Sequence, residues 1–209
     1  MREVQLFKDI FSKLGVTTSA SLAELAEQKR DCLLREDPNS FYATTNLSPE
    51  QNMEWFHNMK RHLGVDALDY QAFLSHIHPA WFPLHRGYTI GAYETLYSED
   101  FGFSHRNCIY TINVPLSHPD GSYHWYNQMT VAVGFDEKEA MTMHLSHYHR
   151  LCEYDRLVPQ RPVFMVNGVL NNQYSDRLQK QVEPVTIQGV LDANNINLIR
   201  RKHYLKLVD

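Results

Sequence analysis

The sequence predicts an α+β protein in which an antiparallel sheet is flanked by helices. Between residues 107 and 151, three runs of strand-favouring residues are separated by two polar turns, at 118–122 and 136–139. This pattern is typical of a three-stranded antiparallel meander. The segments before it carry apolar residues at helical spacing, so we expect helices to precede the main sheet along the chain.

Alternation along these strands predicts which face of the sheet is buried, because successive side chains point to opposite faces. If Leu116 lies opposite Tyr123 across the first turn, the apolar residues of the first two strands share one face. That face then includes Trp125 and Met129, which we predict to be buried together in the core.

If the second turn has an odd length or a bulge, the third strand joins this arrangement, and four polar side chains then fall on the same predicted face: Tyr110, Asn127, His147 and His149. A few polar groups on an otherwise apolar surface are typical of a small-molecule pocket, so these residues are the predicted ligand-binding set. The alternative interpretation is that they are core polar groups that satisfy one another's hydrogen bonds. The sequence identifies neither the ligand nor a cofactor.

The composition sets limits on size and partners. A chain of 209 residues is long enough for one large core with appendages, and its net charge of -4 gives no support for a generally basic nucleic-acid binder. No apolar stretch is as long as a membrane span, and the charged residues of the N-terminal segment do not resemble a signal peptide, which together predict a cytoplasmic protein with no membrane partner. Cys32, Cys108 and Cys152 are widely spaced, which favours free, buried thiols.

The N-terminal residues 1–38 are predicted to form a helical hairpin. Apolar residues at helical spacing indicate a helix over 3–15, and Ser21 has the position of an N-cap for a second helix that ends at Pro38. The hairpin is interpreted either as a lid on the sheet or as a contact with a second copy of the chain or with a partner signalling protein.

Residues 39–152 form the predicted central domain. A strand is expected over 40–46, followed by a helix over 48–64 with Ser48 as N-cap, Pro49 at the first position and Gly64 after the end. Its predicted inward stripe consists of Trp55, Phe56, Met59 and Leu63. Two further helices are expected over 70–76 and 80–97, before the meander begins.

Residues 153–209 are predicted to be a C-terminal extension. It contains a strand candidate at 163–170, a turn at Asn171 and Asn172, and short helices that end in a local basic run. Arg200, Arg201 and Lys202 in that run are the candidate nucleic-acid contacts, because a local cluster of positive charge can bind phosphates even when the whole chain is acidic.

Two stretches of residues 40–151 resemble a PAS-type sensory domain. The first is HLGVDALDYQAFLSHIHPAW at 62–81, in which a helix ends at Leu-Gly and the phrase that follows ends in Ile-His-Pro. The second runs from Tyr110 through PDGSYHW to HLSHYHRL and is similar to the last three PAS strands. The resemblance implies a non-catalytic module that binds a small molecule between sheet and helices.

Within that family the chain looks most like the sensor half of bacterial LuxR-type transcriptional regulators. This resemblance implies a role in bacterial signalling or transcriptional regulation. The DNA-binding half of those proteins begins with a Leu-Thr-x-Arg-Glu phrase, which does not occur after Leu151. Asn107-Cys108 matches only part of the cysteine motif of flavin photosensors. His85 is the nearest candidate for a haem ligand.

Two alternative functions remain open. His147 and His149 would project from the same face of a strand, so with a third ligand they could bind a metal ion in a metal-dependent enzyme. A DNA-binding regulator that acts through the basic C-terminal helix is the other alternative. The chain has no Gly-x-Ser-x-Gly elbow, phosphate-binding loop or Gly-x-Gly-x-x-Gly motif, so the sequence does not favour an enzyme.

Overall fold

The computed structural model describes residues 37–47, 53–98, 101–137, 141–154, 158 and 162–182. They form one seven-stranded antiparallel sheet with the order β2-β1-β5-β4-β3-β6-β7. The strands are β1 (Ser40–Asn46), β2 (Met53–His57), β3 (Cys108–Ser117), β4 (Tyr123–Phe135), β5 (Met141–Glu153), β6 (Val163–Val166) and β7 (Val169–Leu170). The helices are α1 (Met59–Leu63), α2 (Tyr70–His76), α3 (Phe82–Leu96), α4 (Asn172–Val182) and a 3-10 turn (His105–Asn107). The predicted α+β class, with helices flanking an antiparallel sheet, is confirmed.

The predicted meander is formed by β3, β4 and β5. The register between β3 and β4, however, differs by one residue from the prediction. Tyr123 lies opposite Ser117, so Leu116 lies opposite His124. The turn sets this register, since His118 and Ser122 are joined by a backbone hydrogen bond of 2.7 Å and Gly121 adopts a φ of 84°. A shift of one residue exchanges the two faces of a strand. Tyr110 and Asn127 therefore lie on opposite faces of the sheet, contrary to the prediction.

Trp125 and Met129 are both buried, as predicted, but they belong to different cores. The pairing of β4 with β5 is irregular between Trp125 and Tyr126, and both side chains pack on the face that the helices cover. The Trp125 ring meets Trp81 edge to face at 4.9 Å. Met129 packs on the other face, beside Tyr42. The prediction of one shared buried face is therefore wrong.

Part of the helix predicted over 48–64 is a strand, over residues 53–57. β2 pairs with β1 in antiparallel fashion, and only Met59–Leu63 is helical. Asn58 separates the two elements with a φ of 60°, a left-handed conformation that interrupts a regular helix. Strand pairing has overridden the local helix signals here. The predicted end at Gly64 is confirmed, with a φ of 81° and an N–H that donates to the Lys60 carbonyl; residues 48–52 lie outside the described part of the chain.

The helices α2 and α3 are close to their predicted positions. α2 begins after Asp69, whose carboxylate accepts a hydrogen bond from the Ala72 N–H at 2.6 Å. Its end is tied to the sheet, because His78 N donates to Pro115 O at 2.9 Å. α3 then crosses the same face, where Leu84 and Tyr88 pack on the sheet.

The strand predicted over 163–170 is a tight hairpin of β6 and β7. Asn167 and Gly168 form its turn, both with positive φ, and β6 pairs with β3. Asn171 is not part of a turn as predicted, because its side chain caps α4 by accepting from Tyr174 N at 3.1 Å. This part of the predicted extension therefore joins the sheet and the core.

Several sequence predictions lie outside the described residues. These are residues 1–36 of the predicted helical hairpin, which include Cys32, and the basic residues Arg200, Arg201 and Lys202. The domain boundaries stay a prediction. Cys108 and Cys152 are free of disulfides, and Cys108 is buried. Among the helices that the structure describes, none is long and apolar enough to cross a membrane.

Candidate ligand cavity

An internal cavity lies between the sheet and the helices that cover it. The centres of water molecules can occupy a volume of about 50 Å³ inside it, which is room for a few waters or a small organic group. Side chains from α2, α3 and strands β1 to β6 line it, and apolar groups such as Met53, Phe73 and Phe164 form much of the wall. Among the described side chains that line it, none is an acid, a lysine or an arginine.

Helix α3 supplies a row of polar groups to this cavity. His85, Thr89 and Tyr93 are spaced four residues apart, so they lie on the same side of the helix, and all three line the cavity. On the opposite wall, Tyr110, Gln128 and Thr130 project from β3 and β4, since the observed register places these residues on the helix-covered face.

His85 is held in one tautomer by its hydrogen bond to the sheet. Its Nε2 lies 2.9 Å from Gln128 Oε1, and Gln128 Nε2 lies 3.3 Å from Thr130 Oγ1. Because a carbonyl oxygen can only accept, His85 Nε2 is the protonated nitrogen. Burial lowers the pKa of His85, so the ring is neutral and its Nδ1 is a bare acceptor. That Nδ1 is buried and has no hydrogen-bond partner within the described residues.

His105 presents a second acceptor in the same way. Its Nε2 lies 2.8 Å from the carbonyl oxygen of Leu96, at the end of α3. In the neutral ring Nε2 is therefore the donor and Nδ1 is left to accept, and in the described part of the chain this Nδ1 is also buried without a partner.

Tyr110 and Thr89 present hydroxyl groups. Both oxygens are buried and lack a hydrogen-bond partner among the residues that the structure describes. Burial raises the pKa of Tyr110, so its phenol keeps its proton and is able to donate. Each buried polar group left unpaired costs roughly 1 to 3 kcal/mol, which makes four of them around one cavity unusual for a core without an occupant.

Other polar groups of the cavity include a paired tyrosine and histidine and an unreactive thiol. Tyr93 Oη and His144 Nδ1 are 2.8 Å apart, and burial lowers the pKa of His144 to about 4. Burial raises the pKa of Cys108 to about 11, and its Sγ donates to Ser104 O at 3.4 Å. Cys108 is thus a neutral thiol here, which does not favour nucleophilic chemistry, since a thiolate is the reactive form.

The structure separates the four ligand-binding residues predicted from the sequence. Tyr110 lines the cavity, whereas Asn127, His147 and His149 lie on the opposite face of the sheet. Asn127 Nδ2 donates to Asn113 Oδ1 at 2.9 Å, so this pair satisfies itself. A ligand-binding role for these three residues stays a prediction, but they do not share a pocket with Tyr110.

Sequence reasoning missed most of the cavity's polar groups. Thr89, Gln128 and His105 carried no recognised motif, and His85 was considered only as a haem ligand. The four-residue spacing of His85, Thr89 and Tyr93 was the available signal, because it places three polar groups on one side of a helix that is otherwise packed on the core.

Comparison with known proteins gives similarity only at the level of solved structures. No protein-family model matches the chain. No curated protein matches it either. One similar structure is an RNA-binding light-oxygen-voltage receptor, with 8% identity, 87% of this chain and 42% of that chain covered, and a TM-score of 0.41. Another is a light-oxygen-voltage domain described with a flavin analogue, with 14% identity, 65% and 87% covered, and a TM-score of 0.32.

The chain spans less than half of the length of the RNA-binding receptor. Light-oxygen-voltage domains are PAS-family domains, and neither structure is named as a LuxR-type regulator.

Proposed function

We propose that this protein is a PAS-like sensory module that binds a small, uncharged molecule between its sheet and α3. The observation that carries the proposal is a set of four residues that line one cavity and each carry a buried polar atom without a partner among the described residues: His85 Nδ1, Thr89 Oγ1, His105 Nδ1 and Tyr110 Oη. A ligand that bonds to them would remove their desolvation penalty on binding.

The tautomers indicate the chemistry of that ligand. The two imidazole Nδ1 atoms accept, so the ligand should offer N–H or O–H donors. The Tyr110 phenol donates, so the ligand should also offer an acceptor such as a carbonyl oxygen. An amide, a lactam or a hydroxylated heteroaromatic ring carries both. A charged ligand is disfavoured, because no aspartate, glutamate, lysine or arginine among the described lining residues would compensate for its desolvation.

The position of the site couples a ligand to the packing of α3. His85 and Thr89 belong to α3, while Tyr110 belongs to β3, so a bound molecule would bridge helix and sheet. A ligand that binds only this arrangement stabilises it by mass action. The bacterial and transcriptional setting implied by the LuxR resemblance is part of the proposal, and a cytoplasmic location goes with it.

A fragment screen tests the proposal. Neutral fragments with adjacent donor and acceptor groups should raise the thermal midpoint of the purified protein, and their carboxylate analogues should not. For a confirmed fragment, Tyr110→Phe should weaken binding by about fivefold to tenfold, which corresponds to one lost hydrogen bond.

The matched control is Tyr126→Phe. Tyr126 is buried and its hydroxyl lies 3.0 Å from His62 Nδ1, away from the cavity lining, so its loss should not change fragment affinity. Equal weakening by both variants, or stronger binding of the carboxylates, would show that fragments bind elsewhere and would contradict the proposal.

A further inference from the structure

A second group of polar side chains lies on the face of the sheet opposite the cavity. Asp37, His147 and His149 each place one potential metal-ligand atom within 4.8 Å of the others. The cavity does not use these residues, since none of them lines it. His147 and His149 are the two histidines whose spacing in the sequence suggested a shared strand face.

The two histidines are held in position because they belong to β5, a strand inside the sheet. β5 lies between β1 and β4, and His147 and His149 are paired with Tyr42 and Ser40 of β1. The His147 ring stacks on Tyr42 with centroids 4.5 Å apart and an interplanar angle of 15°. The rings of His147 and His149 are 6.3 Å apart. Ligands held on a paired strand lose little conformational freedom when an ion binds.

Asp37 is positioned by the turn that leads into β1. Its Oδ1 accepts from Asn39 N at 2.9 Å, and its Oδ2 lies 2.8 Å from His149 Nδ1. The Ser40 hydroxyl also donates to Oδ2. Three hydrogen-bonding groups therefore hold the carboxylate in place on this face of the sheet.

We propose that Asp37, His147 and His149 bind a divalent transition-metal ion, of which Zn²⁺ is the test case. The ion would take the place of the proton that Asp37 and His149 share. Two imidazoles with one carboxylate suit zinc and its transition-metal neighbours, whereas magnesium and calcium prefer oxygen ligands alone. Three protein ligands leave a position for water or for a small ligand.

The environment of the site fits this role. His147 is buried, and its ring is held in place by stacking on Tyr42. Asp37 and His149 have side chains that are 21% and 34% exposed, which leaves a path for an ion from solvent. The site is thus partly shielded from water but not closed.

A second cluster of the same composition provides a built-in comparison. His118, Asp120 and His124 also bring ligand atoms within 4.8 Å of one another, in the turn between β3 and β4. Asp120, however, is 64% exposed, and its Oδ1 already accepts from both the backbone and the hydroxyl of Ser122. Exposed carboxylates of this kind are usually satisfied by water and their own turn, so we expect no tight binding there.

Zinc titration of the metal-stripped full chain tests the proposal. Calorimetry should show one Zn²⁺ bound at micromolar or lower concentration. Asp37→Asn should weaken that binding by about tenfold or more, since even the loss of a group that only supports a ligand has an effect of this size. Asp120→Asn removes the same charge from a similar turn and should leave the affinity unchanged.

A second variant tests whether weaker zinc binding could result from misfolding. His149→Ala removes a half-buried ligand, and both it and Asp37→Asn should retain the circular dichroism spectrum of the parent while binding zinc more weakly. Wild-type affinity in either folded variant would overturn the proposal. So would the absence of micromolar binding by the parent, or a loss of binding caused by Asp120→Asn alone.

Discussion

His85 Nε2 and Gln128 Oε1 are 2.9 Å apart and join the first turn of α3 to the central strand of the sheet. This single hydrogen bond fixes the tautomer of a buried histidine and so decides that its other nitrogen accepts. The ligand chemistry inferred for the cavity depends on that bond.

In the ligand-free protein, the removal of two different buried hydroxyls should change the free energy of unfolding in different ways. Tyr110→Phe removes a hydroxyl without a partner among the described residues, so the free energy of unfolding should stay the same or rise. Tyr126→Phe leaves His62 Nδ1 without its partner in the core and should cost roughly 1 to 3 kcal/mol. Urea unfolding of both variants measures the difference, and a large loss for Tyr110→Phe would mean that its hydroxyl is already satisfied.

Truncation of Trp125 should be among the most damaging core changes. The side chain is fully buried and packs against Trp81, so Trp125→Ala should lower the free energy of unfolding by roughly 3 to 5 kcal/mol. Trp55→Ala is the comparison, because Trp55 is only half-buried on β2 and should cost less. An unchanged urea midpoint for Trp125→Ala would contradict the observed packing.

Acidification should destabilise the protein between about pH 6.5 and pH 4. Burial lowers the pKa of His144 from 6.5 to about 4, so the unfolded chain takes up this proton first as the pH falls. Stability is therefore complete above about pH 6.5 and decreases toward pH 4, by at most on the order of 1.4 kcal/mol per pH unit for each such histidine.

His144→Gln isolates this effect, since glutamine is polar but does not titrate. Thermal midpoints measured at intervals from pH 7 to pH 4 should decrease less steeply for the variant than for the parent. Identical pH dependence in the two proteins would show that His144 does not titrate in this window.

Gly134 should tolerate no side chain. A Cβ at this position would lie 2.8 Å from Met143 Cβ and 3.3 Å from Met143 N, at an irregular point of the β4–β5 pairing. Gly134→Ala should therefore cost roughly 1 to 3 kcal/mol through overpacking. Gly102→Ala, where nothing lies within 4 Å, should be nearly neutral. Equal midpoints for the two variants in urea would contradict the close approach of the strands.

The sequence by itself determined the elements whose signals are local. The strands of the meander follow from alternation and from the Pro-Asp-Gly turn, and α2 and α3 follow from apolar spacing. In each of these elements the local sequence and the tertiary contacts favour the same structure, so the local sequence was sufficient to predict it.

The tertiary structure decided the features that depend on pairing between distant segments. Residues 53–57 became a strand because β1 offered an edge for hydrogen bonding, although the flanking residues resembled helix caps. The one-residue register at Ser117 and Tyr123 came from the closure of the turn, and it assigned Tyr110 to one face of the sheet and His147 and His149 to the other. The sequence could propose these polar residues as a set, but only strand register fixes which side chains meet, because a shift of one residue reverses every face.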